Sequence, residues 1–192
     1  MKAIFALFLS LFLLTFNVSL LLNFYLPTAY EDNHYKITLM ILNYISSKGD
    51  IDNKFFTENE ISHLNDVKAL IKNIIILRDF SLVAIIFFAS YFVVAKKTKI
   101  ILESLFLSGI SIFIFSTIIT LFSLISFKTF FIFFHKILFP KGNWSFPKES
   151  ILIRLFSEMY FFEATLHLVL LMFIESTILL SFFLIYKKYK KT

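Results

Sequence analysis

Four apolar runs, each long enough to cross a lipid bilayer, constrain this chain more than any other feature. A helical span needs about 20 mainly apolar residues to cross hydrocarbon roughly 30 Å thick. The sequence meets that length near residues 3–26, 73–95, 100–126 and 164–186. Hydrocarbon offers backbone N–H and C=O groups no water, so such runs must satisfy their hydrogen bonds internally, as helices. Composition agrees: 58% of the 192 residues are hydrophobic and 28 are Phe, far from the usage of a soluble domain. The expected fold is an all-α membrane protein, a single membrane domain over residues 1–192. It has four transmembrane helices and a small extracellular cap formed by two external connections, residues 27–72 and 127–163, in which short strands are an alternative to helix.

Charge placement sets the expected orientation. The net charge of +6 is no nucleic-acid signal, because the Lys and Arg lie mainly between and beside the apolar runs. Lys2 precedes the first run, Lys96, Lys97 and Lys99 crowd the short second connection, and Lys187, Lys188, Lys190 and Lys191 crowd the C-terminus. The two longer connections mix Lys with acids. The positive-inside rule therefore predicts a multi-pass plasma-membrane protein with both termini cytoplasmic and the longer connections outside. Residues 3–22 exceed a usual signal-peptide core and no A-x-A site follows, with Pro27 standing before Ala29, so the first span is expected to be uncleaved. Tyr25 and Tyr30 are expected in an outer aromatic belt. With no Cys, the external segments carry no disulfide and the chain offers no cysteine nucleophile.

Polar residues inside the runs read as packing devices. Asn17 is expected to hydrogen-bond a neighbouring helix, and Ser108, Gly109 and Ser111 to let another helix approach closely. Arg78 and Asp79, near one end of the second span, are expected to pair or to anchor at the interface. Glu175, in the middle of the fourth span, needs a partner, water or neutrality. The stretch at 35–45, YKITLMILNYI, is too short to span and reads as an interfacial helix or a strand.

Ionisable chemistry is concentrated in residues 57–72, TENEISHLNDVKALIK. Thr57 and Glu60 have capping-box spacing, which predicts a helix start there. His63 and Asp66 then share a helical face with Glu60. His135 stands between Phe131 and Pro140, where an apolar segment meets a turn, and Trp144, the only Trp, follows within that turn. Histidine titrates near neutrality, so His63 and His135 are the candidate acid and base, with Asp66 as a carboxylate able to orient the His63 ring. Glu60-Ile-Ser-His63 matches half of a di-iron motif, but no second Glu-x-x-His accompanies it, and zinc on His63, His135 and Asp66 lacks a ligand-spacing signature. No metal and no cofactor are therefore expected. The chain also lacks a P-loop, a GxSxG elbow and HExxH.

The segments FTENEISHLNDVKALI, FFHKILFPKGNWSF and ILIRLFSEMYFF together resemble the lipoprotein intramolecular transacylase family of Gram-positive bacteria. The resemblance covers most of the chain. It implies an acyltransferase whose substrate is a diacylated lipoprotein in the outer leaflet, among membrane lipids. One ester-linked acyl chain of the diacylglyceryl-cysteine moves to that cysteine's α-amino group, giving an N-acylated lyso-lipoprotein. It implies that the family's two catalytic histidines fall on His63 and His135, and that Asp66, Trp144 and Arg154 lie in matching motifs, with Glu60 in support. Arg154 is expected to polarise the ester carbonyl or anchor a headgroup. One departure is the Ser157 that stands where the family pattern implies proline. From the residues alone, two other classes stay open: a non-enzymatic accessory or binding protein, and a small proton-coupled transporter using Glu163, His167 and Glu175. Four spans without an internal repeat weigh against the transporter.

Overall fold

The computed structural model describes residues 1–24 and 32–189. Pro27, Ala29, the Tyr25 and Tyr30 belt, and Lys190 and Lys191 lie outside the described residues. In chain order the helices are α1 (Lys2–Phe24), α2 (Asp32–Ile45), α3 (Glu58–Val94), α4 (Thr98–Ile125), α5 (Phe127–Leu138), α6 (Ile151–Leu155) and α7 (Glu158–Tyr189), with a 3₁₀ turn at Asn53–Phe55. Four of them, α1, α3, α4 and α7, are long and apolar enough to cross a membrane. The all-α fold class holds, and among the described residues there is no strand.

The helix α3 has 37 residues and is about 55 Å long at 1.5 Å per residue, well beyond the hydrocarbon thickness. Its first turns, residues 58–72, carry Glu58, Glu60, Asp66, Lys68 and Lys72 and precede the apolar run that begins at Asn73. The capping box forms as the spacing predicts. The Thr57 N–H donates to the Glu60 carboxylate at 2.8 Å and the Glu60 N–H donates to the Thr57 hydroxyl at 3.3 Å.

The chain divides into two compact units. One comprises Met1–Leu20, Ile75–Leu121 and Leu166–Thr192. Here Phe5 and Phe8 of α1 pack on Phe88 of α3 at ring distances of 6.4 and 6.2 Å, and Ser10 of α1 bonds Ser108 of α4 at 2.9 Å. Gly109 lets α7 come close: a Cβ there would lie 3.1 Å from Leu180, and the Ser176 hydroxyl donates to the Gly109 carbonyl at 2.9 Å. Ser108 and Gly109 thus act as expected, whereas Ser111 is exposed and takes no part. Asn17, 2% exposed, donates from Nδ2 to Glu175 Oε2 at 2.9 Å, so each is the other's answer to burial in an apolar helix. Arg78 and Asp79 pair with each other at 2.8 Å.

The second unit comprises Leu21–Ile74 and Phe122–Thr165. Its core joins Ile41, Leu42 and Ile45 of α2 to Leu64 of α3 and Leu152 and Leu155 of α6, with Phe56. The stretch at 35–45 is helical rather than extended because its apolar residues recur three and four apart, Ile37, Met40, Ile41, Tyr44 and Ile45, which gives a helix one continuous buried stripe and would split a strand between two faces. Ser157 finds a use that proline cannot serve: its hydroxyl accepts the Tyr160 N–H at 3.3 Å, capping the first turn of α7.

Candidate active site

The second unit brings His63 of α3 and His135 of α5 together, with ring centroids 6.2 Å apart. Each ring is held by aromatics. Phe139 lies 4.8 Å and Phe146 5.6 Å from His63, both edge-on. Phe131 lies 3.9 Å, Trp144 5.1 Å and Phe139 5.6 Å from His135, so Phe139 touches both imidazoles. The helix α5 presents His135 because Ser126 caps its start, accepting the Thr129 N–H at 3.4 Å, and because Phe131 and His135, four apart, fall on one face.

The His135 tautomer follows from its partner. Nδ1 lies 2.8 Å from the Phe131 carbonyl, which can only accept, so Nδ1 carries the proton and Nε2 keeps a lone pair. His135 is 6% exposed, and burial lowers its pKa while the Phe131 hydrogen bond opposes that. Burial drives His63 further, down to about 4; the neighbouring His135 pushes the same way and Asp66 pushes back. At neutral pH both rings are therefore uncharged. Nδ1 of His63 is buried and has no hydrogen-bond partner among the described residues.

Asp66 is not hydrogen-bonded to His63, as its spacing had suggested. Its carboxylate is held by Lys141 Nζ at 2.7 Å and Asn143 Nδ2 at 2.8 Å, and these bonds keep its pKa below the usual carboxylate value. It reaches His63 through its charge alone. Asn143 also donates to the Ser62 hydroxyl at 3.0 Å, so the turn after α5 is clamped to α3 at two adjacent points. Gly142, at φ 77°, turns the chain in the left-handed region that glycine adopts freely, between Lys141 and Asn143. Lys141, Asn143 and the aromatic shell are not among the residues singled out above in the sequence. Their only local sign is a Lys-Gly-Asn turn breaking an aromatic run, and the clamp joins residues 75 and 77 apart.

Glu60 is 3% exposed and its carboxylate is engaged by Thr57 and Ser150. Burial raises its pKa, but hydrogen bonds from the Ser150 hydroxyl and from Thr57 outweigh that and leave it lowered. It joins the start of α3 to Ser150, the residue before α6. Among the described residues no group of three His, Asp or Glu side chains converges as metal ligands would. Arg154 lines a cavity of about 510 Å³ together with Lys54, Thr57, Glu149 and Phe146. Of the six residues singled out in the sequence, His135 packs against both His63 and Trp144, Asp66 acts by charge, Glu60 braces the helix start, and Arg154 stands in the neighbouring cavity.

Comparisons with known proteins agree with this architecture. A solved structure of the membrane integral lipoprotein intramolecular transacylase Lit from Bacillus cereus superposes with a TM-score of 0.72 at 22% identity, covering 99% of this chain and 91% of that one. Two variants of that protein, each with one histidine substituted, give TM-scores of 0.62 and 0.63, also at 22% identity, covering 100% and 99% of this chain and 89% of theirs. At that identity the likeness speaks for the fold. No curated protein matches the chain. The sequence model of the family described as lipoprotein intramolecular transacylase Lit matches residues 3–161. With that match spanning most of its length, the chain belongs to the lipoprotein intramolecular transacylase family, and it is a multi-pass membrane acyltransferase that performs intramolecular acyl transfer on lipoproteins.

Proposed function

We propose that the transfer moves an ester-linked acyl chain of a diacylglyceryl-cysteine to the α-amino group of the same cysteine, in the outer leaflet, with His63 and His135 as the proton-transfer pair. Both termini are then cytoplasmic, by the lysine asymmetry of the short loop and the ends. Donor ester and acceptor amine share one molecule, so holding them in register replaces a bimolecular encounter, an effect worth roughly 7 to 11 kcal/mol in favourable cases. No enzyme nucleophile is required, in keeping with a chain that has no Cys.

The neutral amine attacks the ester carbonyl, the C–N bond forms, the C–O bond to the glyceryl oxygen breaks, and one proton must pass from nitrogen to the departing alkoxide. The observation that supports the pair most is their spacing of 6.2 Å together with the free lone pair on His135 Nε2. His135 accepts the proton as the C–N bond forms. Because His135 charge disfavours His63 charge, the pair holds one proton at a time, and that proton goes to the alkoxide. Asp66, clamped by Lys141 and Asn143, favours a positive charge on His63 without touching the ring, so it helps the proton to pass through His63 on its way to the alkoxide.

Mass spectrometry of lipoprotein N-termini from a host lacking other N-acylating enzymes tests this. The chain should convert the diacylated form to the N-acylated lyso form, and His63→Ala and His135→Ala should each abolish it. Full conversion by either variant removes that histidine from the mechanism.

A further inference from the structure

Lipoprotein acyl transfer needs somewhere to put the polypeptide that continues from the acylated cysteine. The cavity sets the charged side chains of Lys54, Glu60, Glu149 and Arg154 beside the aromatic walls of Phe55 and Phe146, a mixture suited to a peptide, which presents polar backbone and varied side chains together. Phe146 is its shared wall: the same ring lies 5.6 Å from the His63 imidazole. A peptide rises about 3.3 to 3.6 Å per residue when extended, so a chain leaving a cysteine at His63 passes Phe146 within roughly two to three residues.

The charges in the cavity are available. Lys54, Glu149 and Arg154 are exposed, and among the described residues their side-chain charges take no partner. Glu60 adds a second carboxylate to the lining, but it is 3% exposed and turned to Thr57 and Ser150. A guest at the exposed rim therefore meets two cations and one carboxylate, which favours an acidic or neutral side chain over a basic one.

Resting on the acyl-transfer reading above, the geometry points to this cavity as the subsite for the two or three substrate residues that follow the lipidated cysteine, with Lys54 and Arg154 selecting acidic side chains there. Phe146 separates this peptide path from the reacting groups at His63. Arg154 is then a specificity residue, and the ester carbonyl is left to other groups.

The experiment uses the full chain in nanodiscs and synthetic diacylglyceryl-cysteinyl peptides carrying Asp, Asn or Lys at the second and third positions. Conversion is measured on the free-amine peptides, and Kd on N-acetylated peptides, which cannot accept an acyl chain. An exposed charge pair supports an expected preference of about fivefold for Asp over Lys, expressed in Kd and in KM with kcat unchanged. Arg154→Gln and Lys54→Gln should each reduce it, and Arg154→Glu should turn it toward Lys, a reversal that misfolding cannot produce. A wild-type ratio near one, or a ratio kept by all three variants, overturns the assignment. So does a response of the variants to anionic lipid in the nanodisc that leaves the peptide ratio unmoved, since the cavity would then hold a headgroup. Full conversion by His63→Ala or His135→Ala with the Kd ratio intact would sink the proton-transfer pair and leave the subsite standing.

Discussion

The sharpest consequence of the site's burial concerns the protonation of His63. Its pKa falls from the ordinary 6.5 to about 4, so the fold favours the neutral ring by about 3 kcal/mol. At pH 7 about one ring in a thousand is protonated, against about one in four for a free histidine. The sign for stability follows. Between pH 6.5 and 4 the unfolded chain binds a proton at this position that the folded chain refuses, so stability contributed by the neutral ring is present above 6.5 and is lost as the pH falls toward 4. Histidine-selective ¹³C NMR of the protein in micelles reads the titration directly. The His63 resonance should have its midpoint near 4. His135→Asn, which removes a like charge at a ring distance of 6.2 Å, should raise that midpoint by roughly half to one pH unit. Asp66→Asn, which removes the charge that opposes the shift, should lower it further. A wild-type midpoint at or above 6.5, or a rise in Asp66→Asn, would refute the account of a ring kept neutral by burial and by its partner.

Glu60→Ala leaves the Thr57 N–H and the Ser150 hydroxyl without their acceptor and should cost about 2 to 4 kcal/mol in denaturant unfolding, with Glu60→Gln recovering part of it. Asn143→Ala cuts the bonds to both Asp66 and Ser62, and by loosening the turn that carries Trp144 should lower kcat about tenfold with little change in KM. Asn17→Leu strands Glu175 in an apolar helix and should cost about 1 to 3 kcal/mol, most of it regained in the Asn17→Leu/Glu175→Leu double variant, as unfolding in micelles would show.

Features set by neighbours in the chain were legible in the sequence. Thr57 and Glu60 are three residues apart and capped the helix as their spacing implies, and the apolar runs near α1, α3, α4 and α7 are long enough that helix is the sole solution in hydrocarbon. The nine apolar-rich residues from Ile37 to Ile45 were ambiguous, because short runs satisfy strand and helix alike until burial picks a face. His63 and His135 stood out by their titration and their place outside the spans, and the family resemblance fell on the same two, but nothing local to either residue marks the other as its neighbour 72 positions away. Asp66 shows the limit most plainly. Its helical spacing put it on the face of His63, but a carboxylate oxygen goes to the strongest donors within reach, and those were a lysine and an amide delivered by a turn 75 residues later.

The position of Trp144 gives this enzyme a light source of its own. It is the only indole in 192 residues, and it lies 5.1 Å from the His135 ring. Every photon of tryptophan emission therefore originates beside a candidate catalytic imidazole. An imidazolium accepts an electron from excited indole far more readily than a neutral ring does, so emission dims when His135 takes a proton and brightens when it gives the proton up. With His135 as the proton carrier proposed above, stopped-flow fluorescence of the unlabelled protein in the first turnover should dip and recover as the proton arrives and leaves, with no probe added.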